Sequence, residues 1–117
     1  RESFKVWSGN DNETFEIMGL GGYGAISVAS HLIGNQIKAM IEMINNGQTT
    51  EAAIENRRMM PIFNGLFTIS NPIPLKYALN KIGFSVGRPR LPLIPADPNT
   101  ANQIDSILKQ YKIDLPV

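Results

Sequence analysis

The stretch FKVWSGNDNETFEIMGLGGYGAISV, from Phe4 to Val28, constrains the fold of this chain more than any other. Phe4, Val6 and Trp7 form a short apolar run, and Ser8-Gly9-Asn10-Asp11 is turn chemistry. Glu13 to Leu20 is long enough for about two helical turns, on which Phe15, Ile17, Met18 and Leu20 cluster. Ala25-Ile26-Ser27-Val28 then reads as a strand buried on both faces. A strand that returns parallel to its predecessor through a helix is a βαβ unit, and its sheet has to be covered by helices. Ligands gather where the strands of such sheets end, which puts Ser8-Gly9-Asn10-Asp11 first among candidate sites.

Asp11 reads as the N-cap of the first helix, with Glu13 in its first turn. Gly19, Gly21, Gly22 and Gly24 spell G-x-G-x-x-G, the dinucleotide fingerprint. That fingerprint requires a strand before it and a helix opening inside it, and here the order is reversed. The glycines therefore read as helix termination and a tight approach to the second strand. Ala29 to Asn46 carries Leu32, Ile33, Ile37, Met40, Ile41 and Ile44 at helical spacing, with Gly47 as a stop. Thr49-Thr50-Glu51 opens another helix running through Ala53, Ile54, Met59, Met60, Ile62 and Phe63 toward Phe67, with a bend expected at Pro61. Asn71-Pro72-Ile73-Pro74 is a break, and Leu75 to Ile82 a short helix stopped by Gly83. The prolines between Gly87 and Pro95 keep that stretch extended. Asp97-Pro98 caps a last helix with Ile104, Ile107, Leu108 and Tyr111 on its apolar stripe.

The resulting plan, βαβα followed by three helices, has a physical defect: two parallel strands make no sheet stable on its own and leave open hydrogen-bonding edges. Missing strands from another chain, or from a longer protein of which this is a portion, would resolve it. A strand beginning so close to Arg1 favours the longer protein. At 117 residues, 43% hydrophobic and 18% charged, the chain is one ordinary globular domain at most. A net charge of +1 from scattered residues gives no electrostatic footprint for nucleic acid or an anionic membrane. The absence of cysteine rules out disulfides, thiolate metal sites and a cysteine nucleophile within these residues, and is compatible with a reducing compartment. No run reaches the roughly 18 apolar residues of a membrane span, so the expected location is cytoplasmic. His31 has no second histidine or cysteine with which to complete a metal site. Arg57-Arg58 and Arg88-Pro89-Arg90 read as solvated or ion-paired surface, and Met40, Met43, Met59 and Met60 as core.

Five blocks, FKVWSGND, LGGYGAISV, RRMMPIFNGLF, NPIPLKYAL and RLPLIP, resemble in order and spacing the C-terminal part of the dihydrodipicolinate synthase family of pyruvate-dependent class I aldolases, which includes N-acetylneuraminate lyase. The resemblance implies an α/β fold: the last two βα units of a (β/α)8 barrel, strands seven and eight, over residues 1–47, and a three-helix C-terminal domain over residues 48–117. It also implies a lyase that condenses pyruvate with aspartate semialdehyde in lysine biosynthesis, through a lysine Schiff base and with no cofactor or metal. An amine nucleophile suits that reaction because the iminium accepts electrons as the pyruvate methyl loses its proton. The family's Schiff-base lysine, proton-relay tyrosine and carboxylate-binding threonines belong to earlier strands, ahead of Arg1, so no catalytic residue is expected in this chain and the isolated chain is expected to be inactive. Lys76 matches the post-barrel helical domain, and Tyr23, Tyr77 and Tyr111 match no catalytic tyrosine.

Substrate contact is expected at Ile26, which matches the strand-eight position that contributes main chain to the pyruvate site, with Gly9 and Asn10 as rim positions. Taken without the resemblance, Ile26 reads as a core strand residue and Asp11 as a helix cap. The partners implied are pyruvate, aspartate semialdehyde, the missing N-terminal half of the barrel and further subunits of a homotetramer, which Leu20 would meet. A different aldolase of the family, such as N-acetylneuraminate lyase, and a non-catalytic module that self-associates through its unpaired strands are the competing readings.

Overall fold

The computed structural model describes residues 4–115; residues 1–3 and 116–117, at the outer ends of the two expected units, lie outside the described residues. The chain is mostly helical with a small parallel sheet. Its order is β1 (Trp7–Ser8), a 3-10 turn (Asp11–Glu13), α1 (Thr14–Gly19), β2 (Gly24–Ala25), α2 (Ser30–Asn45), α3 (Thr49–Gly65), α4 (Ile73–Lys81) and α5 (Pro98–Leu108).

The expected parallel pairing is present: Trp7 lies opposite Gly24 and Ser8 opposite Ala25. Main-chain bonds from Tyr23 N to Val6 O (2.7 Å) and Ile26 N to Ser8 O (2.8 Å) flank the ladder. The strands are displaced from the expected runs. Phe4 to Val6 is not strand, and β2 ends at Ala25 instead of running from Ala25 to Val28. Pairing, rather than the apolar run, decides which residues the strands include, and the Trp7 side chain packs over Gly24. A Cβ on Gly24 would sit 2.7 Å from Cζ3 of the Trp7 indole.

The second strand is also not buried on both faces. Ile26 is 72% exposed, and Phe4, Val6, Trp7 and Tyr23 are exposed beside it. Trp7 and Tyr23 meet edge to face at 5.1 Å between centroids, and the Lys5 ammonium lies over the Tyr23 ring.

Below the sheet the helices enclose one core. Leu32, Ile33, Ile37 and Met40 of α2 meet Ala52, Met59, Ile62 and Phe63 of α3, Ala78 and Leu79 of α4 and Ile104 of α5. Fully burying an aliphatic or aromatic side chain of this size stabilises the fold by about 1.5–3 kcal/mol. The α3 stripe differs in part from the expected one: Ala52 is buried and Ile54 is half exposed. The helix runs through Pro61 and stops at Gly65, short of Phe67. α4 begins at Ile73, ahead of the expected Leu75, because Pro74 occupies the first turn, where a missing N–H costs nothing. Gly47 and Gly83 end their helices with positive φ.

Two polar clasps tie the helices together. Asp105 of α5 accepts from Tyr77 Oη (2.9 Å) and Lys81 Nζ (2.8 Å) of α4. The other clasp repairs a break in α2. Ile33 has φ −130° and ψ 37°, which is not helical, and divides α2 into two segments. Asp114 then accepts from Asn35 N (2.9 Å) and Gln36 N (3.2 Å), while its own N–H donates to Leu32 O (2.8 Å). The segment after α5 thus caps a helix some 79 residues earlier. The expected Asp97 cap of α5 is present, with the carboxylate accepting from Asn99 N and Thr100 N.

Candidate functional site

The site begins with a polar knot where β1 ends. Ser8, Asp11 and Thr14 are all buried, although each carries a polar side chain. Ser8 Oγ donates to Asn10 O (2.8 Å), and Thr14 Oγ1 lies within hydrogen-bond distance of Ser8 Oγ (3.1 Å) and Asn10 O (3.2 Å). These bonds fold the SGND turn onto itself and fix the main chain at Gly9 and Asn10.

Contrary to expectation, Asp11 is not the N-cap of the helix that follows it; α1 has no side-chain cap. Its Oδ2 crosses to the segment between β2 and α2 and accepts from Val28 N (3.0 Å) and Ala29 N (2.9 Å). Next along, Ser27 Oγ accepts from Ser30 N (2.9 Å). Side chains therefore take three consecutive amide donors ahead of α2, groups that the helix itself cannot satisfy. The Asp11 carboxylate is 3% exposed, and its Oδ1 has no hydrogen-bond partner among the described residues.

Because the strands are parallel, the ends of β1 and β2 lie on the same edge, and Gly9, Asn10 and Ile26 come together there. Gly9 is exposed, with open space where a Cβ would stand, so its backbone is accessible. Asn10 is exposed and its Nδ2 donates to Glu13 Oε2 (2.9 Å). Within this chain Ile26 presents its side chain to the open face of the sheet, and its N–H is held by Ser8. A small groove of about 230 Å³ adjoins this edge, lined by Asn10, Asn12, Glu13, Phe63, Asn64 and Phe67. Chemically, the edge offers main-chain donors and acceptors, amides and one carboxylate: groups that bind and orient a small polar molecule.

The remaining chemistry-bearing residues lie elsewhere. Lys76 Nζ donates to Arg88 O (2.9 Å), on the outer side of α4. Tyr77 is held by Asp105, and Tyr111 Oη donates to Arg58 O (2.6 Å) with the Arg58 guanidinium over its ring. His31 is exposed, its Nδ1 within 2.9 Å of Val28 O. Arg58 pairs with Glu55. No helix among the described residues is long and apolar enough to cross a membrane. What sequence reasoning missed is the partner of Asp11: a buried acidic residue in a polar turn was legible as a cap, but not that it caps the other strand's exit.

The chain is similar to known proteins over most of its length. The profile of the dihydrodipicolinate synthetase family matches residues 1–111. The chain is 53% identical over its full 117 residues to a 4-hydroxy-tetrahydrodipicolinate synthase of Dehalococcoides mccartyi, and it spans 39% of that protein's length. It superposes on a crystal structure of dihydrodipicolinate synthase from Thermotoga maritima with a TM-score of 0.91 and 38% identity, covering 94% of this chain and 37% of that one. A chloride-inhibited dihydrodipicolinate synthase from Acinetobacter baumannii complexed with pyruvate is similar with a TM-score of 0.86 and 31% identity, covering 92% and 37% respectively. On the extent of these matches, the chain belongs to the dihydrodipicolinate synthetase family.

Proposed function

We propose that this chain is the C-terminal portion of a 4-hydroxy-tetrahydrodipicolinate synthase, a lyase that joins pyruvate to aspartate semialdehyde in lysine biosynthesis. In this reading β1 and β2 are strands seven and eight of a (β/α)8 barrel, residues 1–47 complete the barrel, and residues 48–117 form the helical domain beside it. The observation that carries the reading is the parallel β1–β2 pair with its exposed, apolar open face, on which Ile26 is 72% exposed and Trp7 about half exposed. A two-stranded parallel sheet needs further strands, and an apolar face needs a cover. The remaining barrel strands supply both.

The Schiff-base lysine then comes from the portion of the enzyme outside this chain. This chain contributes the closing edge of the pocket, with the main chain at Ile26 binding the keto acid and Gly9 and Asn10 forming the rim. Resemblance to a synthase complexed with pyruvate supports that assignment. The enzyme works in the cytoplasm as a homotetramer, and Leu20, 90% exposed at the C-cap of α1, is placed to meet another subunit. The exposed strands favour one competing reading, a non-catalytic module that self-associates through its open sheet.

Trapping with pyruvate and borohydride separates the two. The full-length enzyme is expected to gain one pyruvyl mass on a lysine outside this chain, and the isolated 117-residue chain none. An adduct on Lys76, or no adduct on the full-length protein, refutes the proposal. Turnover of aspartate semialdehyde rather than N-acetylneuraminate decides which aldolase it is.

A further inference from the structure

We propose that Asp11 is the positioning residue of the keto-acid edge: its buried carboxylate locks the exit of β2 to the exit of β1. The inference rests on the reading of Ile26 as a pyruvate contact. Each strand contributes only two residues to the ladder, so pairing alone gives little control over where the chain goes after Ala25. One further bond, Ile26 N to Ser8 O, holds the first residue beyond it. Asp11 Oδ2 then takes the N–H groups of Val28 and Ala29, at 3.0 and 2.9 Å, and thereby fixes both ends of the Ile26–Ser27 segment.

The carboxylate is suited to this task. It is 3% exposed, so its bonds meet little competition from water, and a charged acceptor makes each of them stronger than a neutral one would. It is itself placed by the Ser8–Thr14–Asn10 knot, which anchors the turn from below. α1 makes no use of it as a cap. Its effect therefore falls on the main chain that binds the keto acid, and displacing a binding group by about 1 Å can cost on the order of a hundredfold in rate.

The test uses the full-length enzyme carrying Asp11→Ala or Asp11→Asn. Asp11→Ala is expected to raise the KM for pyruvate about tenfold or more while moving that for the aldehyde less than about twofold, and Asp11→Asn, whose amide oxygen still accepts, to restore most of the loss. If Asp11→Ala does not fold, Asp11→Asn decides alone through a rise in pyruvate KM of about threefold with the aldehyde KM unchanged. Unchanged pyruvate KM, or an equal rise for both substrates, overturns the role and leaves Asp11 a stabilising cap. Borohydride trapping of the wild-type enzyme separates the two levels: no pyruvyl adduct removes the pyruvate reading and this inference together, whereas a normal adduct with a silent Asp11→Ala removes only the inference.

Discussion

Replacing Asp114 tests whether the break in α2 is held together by the segment that follows α5. The carboxylate accepts two amide donors of the second helical segment, Asn35 N at 2.9 Å and Gln36 N at 3.2 Å, so it acts as an N-cap supplied from far along the chain. Losing an N-cap side chain costs about 1 kcal/mol, within a range of 0.5–2. A negative charge at a helix N-terminus adds about 0.3–1 kcal/mol. Asp114→Ala removes both contributions, about 1.5 kcal/mol together. Asp114→Asn keeps an acceptor and loses mainly the charge, about 0.5 kcal/mol. The main-chain bond from Asp114 N to Leu32 O survives in both variants, as does the link from Gln36 Nε2 to Lys112 O. For a cooperative unit of 117 residues, unfolding with about 2.1 cal/mol/K per residue, the alanine variant should melt roughly 6 °C lower.

Urea unfolding followed by far-ultraviolet circular dichroism measures the two losses. Hydrogen exchange localises them, since the Asn35 and Gln36 amides should lose protection first. In about 1 M salt the Debye length shrinks to roughly 3 Å, so the gap between wild type and Asp114→Asn should narrow while that between Asn and Ala persists. Equal stability of all three proteins, or a loss in Asp114→Ala without faster exchange at Asn35 and Gln36, would refute the idea that this carboxylate caps α2.

Three further outcomes follow from the packing and the charges. Gly24→Ala puts a methyl group against the Trp7 indole, so it should cost about 1–3 kcal/mol; because Trp7 is the single tryptophan, a red shift in fluorescence should report the displaced ring, and an unmoved emission maximum would count against the close approach. The hydrogen bond from the Lys81 ammonium holds the Asp105 carboxyl below the ordinary 3.8, and hydrogen bonding by Thr100 does the same for Asp97. Both contribute stability above that ordinary value and lose it as pH falls through their lower folded-state values, so Lys81→Met should move the Asp105 titration upward by carbon-detected NMR; an unmoved titration would show the pair to be incidental. At the alkaline end the signs reverse, because the Asp105 hydrogen bond raises Lys81, and burial followed by Asp105 raises Tyr77. Their stabilisation is complete below the ordinary 10.5 and 10.0 and is lost as pH rises through the higher folded-state values, so unfolding between pH 9 and 12 should come earlier in Asp105→Asn, and coincident alkaline curves would exclude the clasp.

How far the fold was legible follows from how far each determinant reaches along the chain. Asp97 caps α5 through Asn99 N and Thr100 N, its near neighbours, and the sequence pattern Asp-Pro identifies it directly. Asp114 performs the same chemistry on a helix 79 residues away, and nothing in its own neighbourhood distinguishes it from a solvated acid. The apolar stripe of α2 is legible because burial follows the helical period, whereas its break at Ile33 is not: Gly34 weakens the helix there, yet a single glycine is tolerated inside many helices, and the break persists because a distant side chain satisfies the freed amides. The start of α4 is hard to read because Pro72-Ile73-Pro74 suggests an interruption, although a proline in the first turn is compatible with helix.

The candidate edge shows the same limit in its sharpest form. An apolar tetrapeptide such as Ala25-Ile26-Ser27-Val28 states that something covers it, but not what. In this chain Ile26 stands 72% exposed. Asp11 was legible as a carboxylate that satisfies free amides, since a polar turn followed by a helix calls for one. Which amides it satisfies is decided by the parallel return of the chain, which brings Val28 N and Ala29 N to 3.0 and 2.9 Å from its Oδ2, while α1 is left without a side-chain cap. Local chemistry thus specifies the kind of bond, and topology selects its partner, here the main chain that leads from β2 into α2.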